Sequence, residues 1–587
     1  MNAPPASPSL GKRYAFKLVS NVATIPLFFI LEAVLPCALG PAAYGNYNFI
    51  TSLFQNFTNF LDMGTSTCLY TTLSKRPGEF GLVAFYGRVA LAVLVLCLLA
   101  GGLVFLPGAG EWLMPGVPLW MALPAALWAY ITWAGRVTRG MNDALGLTTR
   151  SEPVRVGVNV FSALLLLGLY FSGVLTLPVL FGHQYLTLGL LAAGFALCLR
   201  GTWSGGEKTL KNPLTPNARV KGAAAPLRGA GQSPASTDLA SSAEPFEDVA
   251  YNPGRLVRWR LGKAELAAYG REFWRYSGPL FVTALCSALA LSGERWMLQF
   301  FNGSAQQGYF SLSQKVGMAC FMFVSAMTPL ITRDLAVAHG KGDAREMARL
   351  LDRFAPMLYA VSAWLACFTL AEAPAVVRLF GGGRFVDAIL PVQIMALYPI
   401  HQGYGQVAAA VFYATGETRL LRNVTLVTLI AGLICAWILL APPGFGQSAA
   451  TAGGEGGGLV PAWLPLGGFG LGAAGLAWKM VGVQFVTVNL LLMACRRSAP
   501  FRYWRNLAHQ VICPAALLAL AFAARYGTEA AGLGQAQDIV RFLSSGVCYC
   551  LLCLILAFAC PFILGLQRGE LTARLRDLSA RAKFIHK

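Results

Sequence analysis

The sequence predicts an all-α protein that crosses a membrane many times, and three observations carry that prediction. Of its 587 residues, 56% are hydrophobic and only 12% charged, a balance far from that of water-soluble domains. Apolar runs of membrane-crossing length recur along the whole chain. The polar residues collect between those runs, or along single faces within them. Hydrocarbon offers the backbone no water to bond with, so such runs form helices.

Fourteen spans are expected, at 17–39, 44–70, 80–106, 117–137, 154–173, 178–199, 277–301, 306–332, 354–371, 389–413, 421–441, 467–495, 507–525 and 542–565. The Pro/Ser-rich start is followed by Lys12, Arg13, Lys17 and a run of spanning length, which reads as a first span and not as a cleavable signal. A net charge of +20 raises nucleic acid as a partner, but the placement of that charge removes it. With the N-terminus cytoplasmic, most of the 46 Lys and Arg fall in cytoplasmic segments. Arg378, Arg384, Arg525 and Arg541 fall outside, and Arg88, Arg295, Lys315 and Lys479 within spans. This is the positive-inside pattern, with both termini cytoplasmic.

Residues 1–199 are expected to form a first lobe of six spans. Span one carries Glu32 in its interior. In span two, Asn48, Ser52, Gln55, Asn59, Asp62 and Ser66 recur at steps of four and three, a single polar face on a helix. That face either bonds to neighbouring helices or lines a water-filled cavity. Span three carries Arg88 near its cytoplasmic end, where it either snorkels to the surface or faces the bundle. Spans five and six read as plain lipid-facing helices, with His183 near an outer end.

Residues 200–276 read as a connector. Its first part, to 254, is rich in Gly, Pro, Ser and Ala and cannot bury enough apolar surface to fold. Its second, 255–275, alternates basic residues with Leu256, Trp259, Leu261, Leu266 and Phe273, a pattern for a helix lying on the membrane surface.

The opening pattern then returns. Gly40, Tyr44, Gly45 and Tyr47 between spans one and two match Gly303, Gln307, Gly308 and Phe310 between spans seven and eight. In that register Glu32 falls on Arg295 and Ser52 on Lys315. Residues 277–495 are therefore a second lobe of six spans, parallel to the first. Glu294 and Arg295 lie in span seven, and Gln307, Ser311, Gln314 and Lys315 in span eight. Asp343 is placed to cap a helix beginning at Ala344. Span ten is polar, with Tyr398, His401, Gln402 and Tyr404, and span twelve holds Lys479. The insertion 442–466 is Gly/Pro-rich. Residues 496–587 add two spans outside the repeat and a basic amphipathic tail over 571–585.

The stretch Leu39-Gly40-Pro41, Tyr44-Gly45-Asn46-Tyr47 and Phe60-Leu61-Asp62-Met63-Gly64, with the Ala414-Thr415-Gly416 turn, resembles the polysaccharide transporter family, the Wzx-type O-antigen and exopolysaccharide flippases. These belong to the multidrug/oligosaccharidyl-lipid/polysaccharide flippase superfamily. The resemblance implies alternating access around a central cationic cavity. It also implies residence in a bacterial inner membrane and a role in surface polysaccharide biosynthesis, with a polymerase or glycosyltransferases as partners. The long connector and the 442–466 insertion depart from the compact form of that family.

A lipid-linked oligosaccharide carries a diphosphate and many hydroxyls, neither of which crosses hydrocarbon unaided. Amides and hydroxyls suit the sugars, and Arg or Lys the phosphates. The candidates for binding are Asn48, Ser52, Gln55, Asn59, Arg88, Arg295, Lys315 and Lys479. The candidates for coupling to an H+ or Na+ gradient are Glu32, Asp62, Glu294 and His401. Each also has a plainer reading, as a static ion pair, a snorkelling end or an interhelical bond.

Enzymatic chemistry finds no foothold. Gly340-Lys341-Gly342 lacks the rest of a phosphate loop, and Cys548, Cys550 and Cys553 sit in an apolar run without histidine, as packing residues do. No cofactor or metal is expected. The competing readings are an ion-coupled multidrug or metabolite antiporter of the same superfamily, or a membrane glycosyltransferase or ligase. Short external loops poor in acids speak against the last.

Overall fold

The computed structural model describes residues 10–76, 79–209, 261–443, 445, 467–532 and 538–565. Most of the expected connector 200–254 and of the insertion 442–466, and all of the tail 571–585, lie outside the described residues. Within the described residues all regular structure is helical, and every expected span falls on a helix. The helices are α1 Leu10–Asp62, α2 Thr65–Lys75, α3 Phe80–Leu103, α4 Ala109–Leu113, α5 Ala122–Ala144, α6 Thr148–Phe171, α7 Leu177–Thr209, α8 Lys263–Ser277 and α9 Phe281–Ala319. They continue with α10 Met322–Gly340, α11 Ala344–Ala371, α12 Ala373–Gly381, α13 Ile389–Ala396, α14 Tyr398–Thr415, α15 Thr418–Leu440, α16 Gly472–Cys495, α17 Tyr503–Ala530 and α18 Asp538–Ala559.

The repeat read from the sequence is a repeat of backbone geometry. Helix α1 is interrupted at Gly40 (φ 76°, ψ 172°) and α9 at Gly303 (φ 81°, ψ 177°), the two positions that the motif matches. Only glycine adopts this region without strain. At Gly40 the chain folds back on itself. Glu32 and Gln55 border one cavity, although a straight helix would hold them about 35 Å apart.

Packing repeats as well. In the first half α1 rests on α6, α3 on α5, and α7 on both α5 and α6. In the second half α9 rests on α15, α11 on α14, and α16 on both α14 and α15. The chain is thus an all-α polytopic bundle of two matching lobes, with α17 packed on α11 and α18 on α17 outside the repeat. The most extensive pairing among the described helices is α1 with α9, across the lobes.

Eight described helices have the length and apolarity to cross a membrane as continuous spans, or nine if the bent pair α8 and α9 is one. Among the described residues, the second, fourth, eighth and tenth expected spans are not among these helices. These occupy the same places in the two lobes. They are broken or carry polar faces, which in a bundle belong toward the protein interior.

The second expected span differs from its sequence reading in one respect. It is not one helix, because Met63 (φ 42°) and Gly64 (φ 79°) break it. Asp62 sits at the break and accepts from the backbone N–H and hydroxyl of Ser66 at 3.2 and 2.8 Å, tying the start of α2 to the end of α1.

Candidate functional site

Where α1 and α9 cross, no side chain separates them. A Cβ on Gly45 would lie 1.8 Å from the Ser304 carbonyl oxygen, and one on Gly308 would lie 2.2 Å from that of Pro41. Ser304 is the repeat equivalent of Pro41, so the contact is reciprocal. Around it the lobes are tied by side chains. Gln299 donates to Asn46 Oδ1 at 3.2 Å and to the Pro115 carbonyl at 3.0 Å, and Trp296 donates to the Trp112 carbonyl at 2.7 Å. Arg384 donates to the Cys37 carbonyl, and the buried Phe385 ring lies between Tyr44 and Tyr309, 5.9 and 5.8 Å away.

The opposite end is closed too, by α8. Arg76 pairs with Glu272 at 2.5 Å, and Tyr269 donates to Glu79 at 2.6 Å. Burial and that bond to a carboxylate hold the Tyr269 hydroxyl well above the usual tyrosine range. Phe85 packs on Tyr269 and Phe273. The helix expected to lie on the membrane surface crosses to the first lobe and fastens to α2 and α3. Deeper in, Asn56 donates to Ser292 at 3.3 Å.

Between the two closures lies a cavity of about 400 Å³, within the ~300–1,000 Å³ range of ligand sites. Its wall from α1 presents Glu32, Asn48, Ser52 and Gln55, and its wall from α9 presents Arg295, Ser311, Gln314 and Lys315. Lys315 meets Glu32 at 2.7 Å across the lobes, with its ammonium 5.1 Å from the Tyr44 ring centre. Arg295 donates to Ser311 Oγ at 3.2 Å and to Gln314 Oε1, and its guanidinium lies 4.5 Å from the Phe310 ring centre. A second chamber of about 210 Å³ shares Ser52, Gln55, Arg295 and Gln314 with the first, and adds Asn56 and Glu294. Of the polar stripe of α1, Asn48, Ser52 and Gln55 therefore face this space.

The structure brings together only part of the sequence-predicted set. Asn48, Ser52, Gln55, Glu32, Arg295 and Lys315 share the main cavity, and Glu294 borders the second chamber. Lys479 sits behind it, bonded to Glu294. Asn59 is turned aside to accept from Arg136 at 2.8 Å. Asp62, about 10 Å further along the helix than Gln55, accepts from Trp133 at 3.0 Å. His401 packs between Tyr359 and Phe485. None of Asn59, Asp62, Arg88 and His401 borders either chamber.

Sequence reasoning missed the wall contributed by α6 and α7. Asn159 and Ser162, and Gln184 and Thr187, line the cavity from helices read as lipid-facing. The available signal was the pairing of polar residues three apart, which places each pair on one helical face. His183 lies close by, its Nε2 3.0 Å from the Ser162 carbonyl.

The arrangement combines two cations, one cross-lobe carboxylate and a set of amides and hydroxyls around one cavity between the lobes. Groups of this kind suit an anionic, hydroxyl-rich ligand.

No family model matches the chain, and no curated protein matches it in sequence. Among solved structures it is similar to a multidrug resistance MATE family transporter of the MOP superfamily in an inward-facing conformation, at 14% identity over 81% of this chain and 95% of that one, with a TM-score of 0.47. It is similar over 93% of its length to 98% of the lipid II flippase MurJ in an inward closed conformation, at 9% identity and a TM-score of 0.57. At this identity the likeness is one of fold, and the two-lobe architecture of this chain is the fold of that lipid II flippase.

Proposed function

We propose that the chain is a flippase. It moves a lipid-linked, polyprenyl-diphosphate oligosaccharide from the cytoplasmic to the outer leaflet of a bacterial inner membrane by alternating access, as a step in surface polysaccharide biosynthesis. The observation that carries this reading is the cavity on the lobe interface, where Arg295 and Lys315 offer charge to a diphosphate beside amides and hydroxyls suited to sugar. The fold shared with a lipid II flippase supports it. Glu32 serves as the group that an H+ or Na+ gradient acts on, since it answers Lys315 across the lobes until a substrate anion takes its place.

The test is flipping of a fluorescent lipid-linked oligosaccharide in proteoliposomes, alongside the lipid-linked glycan content of cells lacking the gene. Loss of the gene is expected to leave that glycan accumulated in the inner leaflet. Lys315→Gln is expected to slow flipping by about ten- to a hundredfold, the worth of a charge-assisted contact, with Lys315→Arg retaining more. Uptake of free organic cations with no flipping of lipid-linked glycan would instead identify a multidrug antiporter.

A further inference from the structure

Far from the central cavity, a basic groove of about 390 Å³ lies between the first turns of α11 and the start of α17. Arg345, Arg349 and Arg353 border it from one side and Arg502 and Arg505 from the other, and the one carboxylate among its lining residues is that of Asp352. Asp352 is already committed, 3.3 Å from Arg505 and accepting from Asn506 Nδ2 at 2.9 Å. Arg349 pairs with Glu346 as well; the guanidinium groups gathered in this concavity still repel one another, and an anion placed among them relieves that repulsion. The groove deepens into a pocket of about 100 Å³ floored by Asn506 and His509, both 2% exposed. It is a built recess and not a flat basic surface.

Its level along the helices indicates the occupant. The charged first turns of α11 give way here to the apolar run 354–371. The Trp504 ring is exposed beside the groove, and exposed Val511 and Ile512 continue an apolar flank along α17. Aromatic rings at the boundary of an apolar span mark the head-group level of a bilayer, and basic pockets between helices at that level hold phosphorylated lipid heads.

We propose that this groove binds the head group of an anionic phospholipid. The phosphate sits among Arg345, Arg349 and Arg502, and the acyl chains run along the Trp504, Val511 and Ile512 flank. A lipid held there joins α11 of the second lobe to α17, one of the two helices outside the repeat. None of these residues borders the central cavity.

The experiment uses the full chain in nanodiscs of phosphatidylcholine with or without phosphatidylglycerol, read by thermal unfolding and by lipid retained in native mass spectra. Phosphatidylglycerol is expected to raise the unfolding midpoint and to stay bound. The triple variant Arg345→Gln/Arg349→Gln/Arg502→Gln should weaken retention about tenfold or more, and the control Arg150→Gln/Arg419→Gln/Arg422→Gln should not. Equal loss or equal retention in the two triple variants overturns the proposal. Should the first variant fail to fold, the wild-type protein decides: retention must fall as salt rises, and displacement of the lipid by soluble diphosphate would make the groove a soluble-anion site and end the lipid assignment.

Discussion

Glu294 and Lys479 form an ion pair between α9 and α16, each side chain less than one-tenth exposed. Two charges so far from water hold only while they have each other. Lys479→Met is expected to lower stability by about 3–5 kcal/mol, because it strands Glu294, and Glu294→Gln in the same chain should recover most of that loss. Thermal unfolding in one detergent checks both. The adjacent Arg295 serves a different purpose. One residue along a helix is about 100° of rotation, which turns Arg295 into the main cavity while Glu294 meets Lys479. Sequence singled out all three as charges inside spans, and could go no further, since Glu294 and Lys479 lie 185 residues apart. It also grouped Asn59 and Asp62 with the cavity residues, correctly by helical face. The break at Met63 and the side chains of Arg136 and Trp133 claim them instead.

Helices α1 and α9 meet at glycine, and this contact makes symmetric demands on the two lobes. Gly45→Val and Gly308→Val each drive a side chain into the facing carbonyl. Both are expected to part the lobes at that end, raising thiol labelling of an Asn46→Cys reporter in a background freed of the 14 native cysteines. Similar increases from the two substitutions are the signature of the repeat, and an effect from only one would contradict it. The Gly-to-Gly motif was the legible trace of that repeat because geometry there tolerates nothing larger. Elsewhere the lobes need only an apolar surface of suitable size, which many sequences supply. For the same reason α6 and α7 read as lipid-facing. Their outer faces are apolar and long, and two polar residues on each do not outweigh them.

At the scale of the molecule, the fold class was visible in composition and in the placement of basic residues, but the state of the two ends was not. Closure depends on contacts between residues far apart in the chain, such as Gln299 with Asn46 and Glu272 with Arg76. Transport by rocking requires each closure to open in turn. Cross-linking cysteines at Asn46 and Gln299, or at Arg76 and Glu272, with a cleavable reagent is expected to stop flipping in proteoliposomes, and cleavage to restore it. Flipping that continues with either pair fastened would rule out the rocking motion.

The glycine crossing and the ion pair near it together make a lever. Counted from Gly45, Asn48 and Ser52 stand three and seven residues along. Counted from Gly308, Ser311 and Lys315 stand at the same steps, and all four face the cavity. The face on which the two helices touch is thus the face that splays apart to become the chamber wall. Lys315 sits about 10 Å from the fulcrum, so a tilt of about 10° between the helices carries it some ~2 Å, enough to pull its ammonium off Glu32 in the opposite lobe. On the flippase reading proposed above, loosening that salt link, by an arriving phosphate or by a proton on the carboxylate, is expected to free the beam to swing.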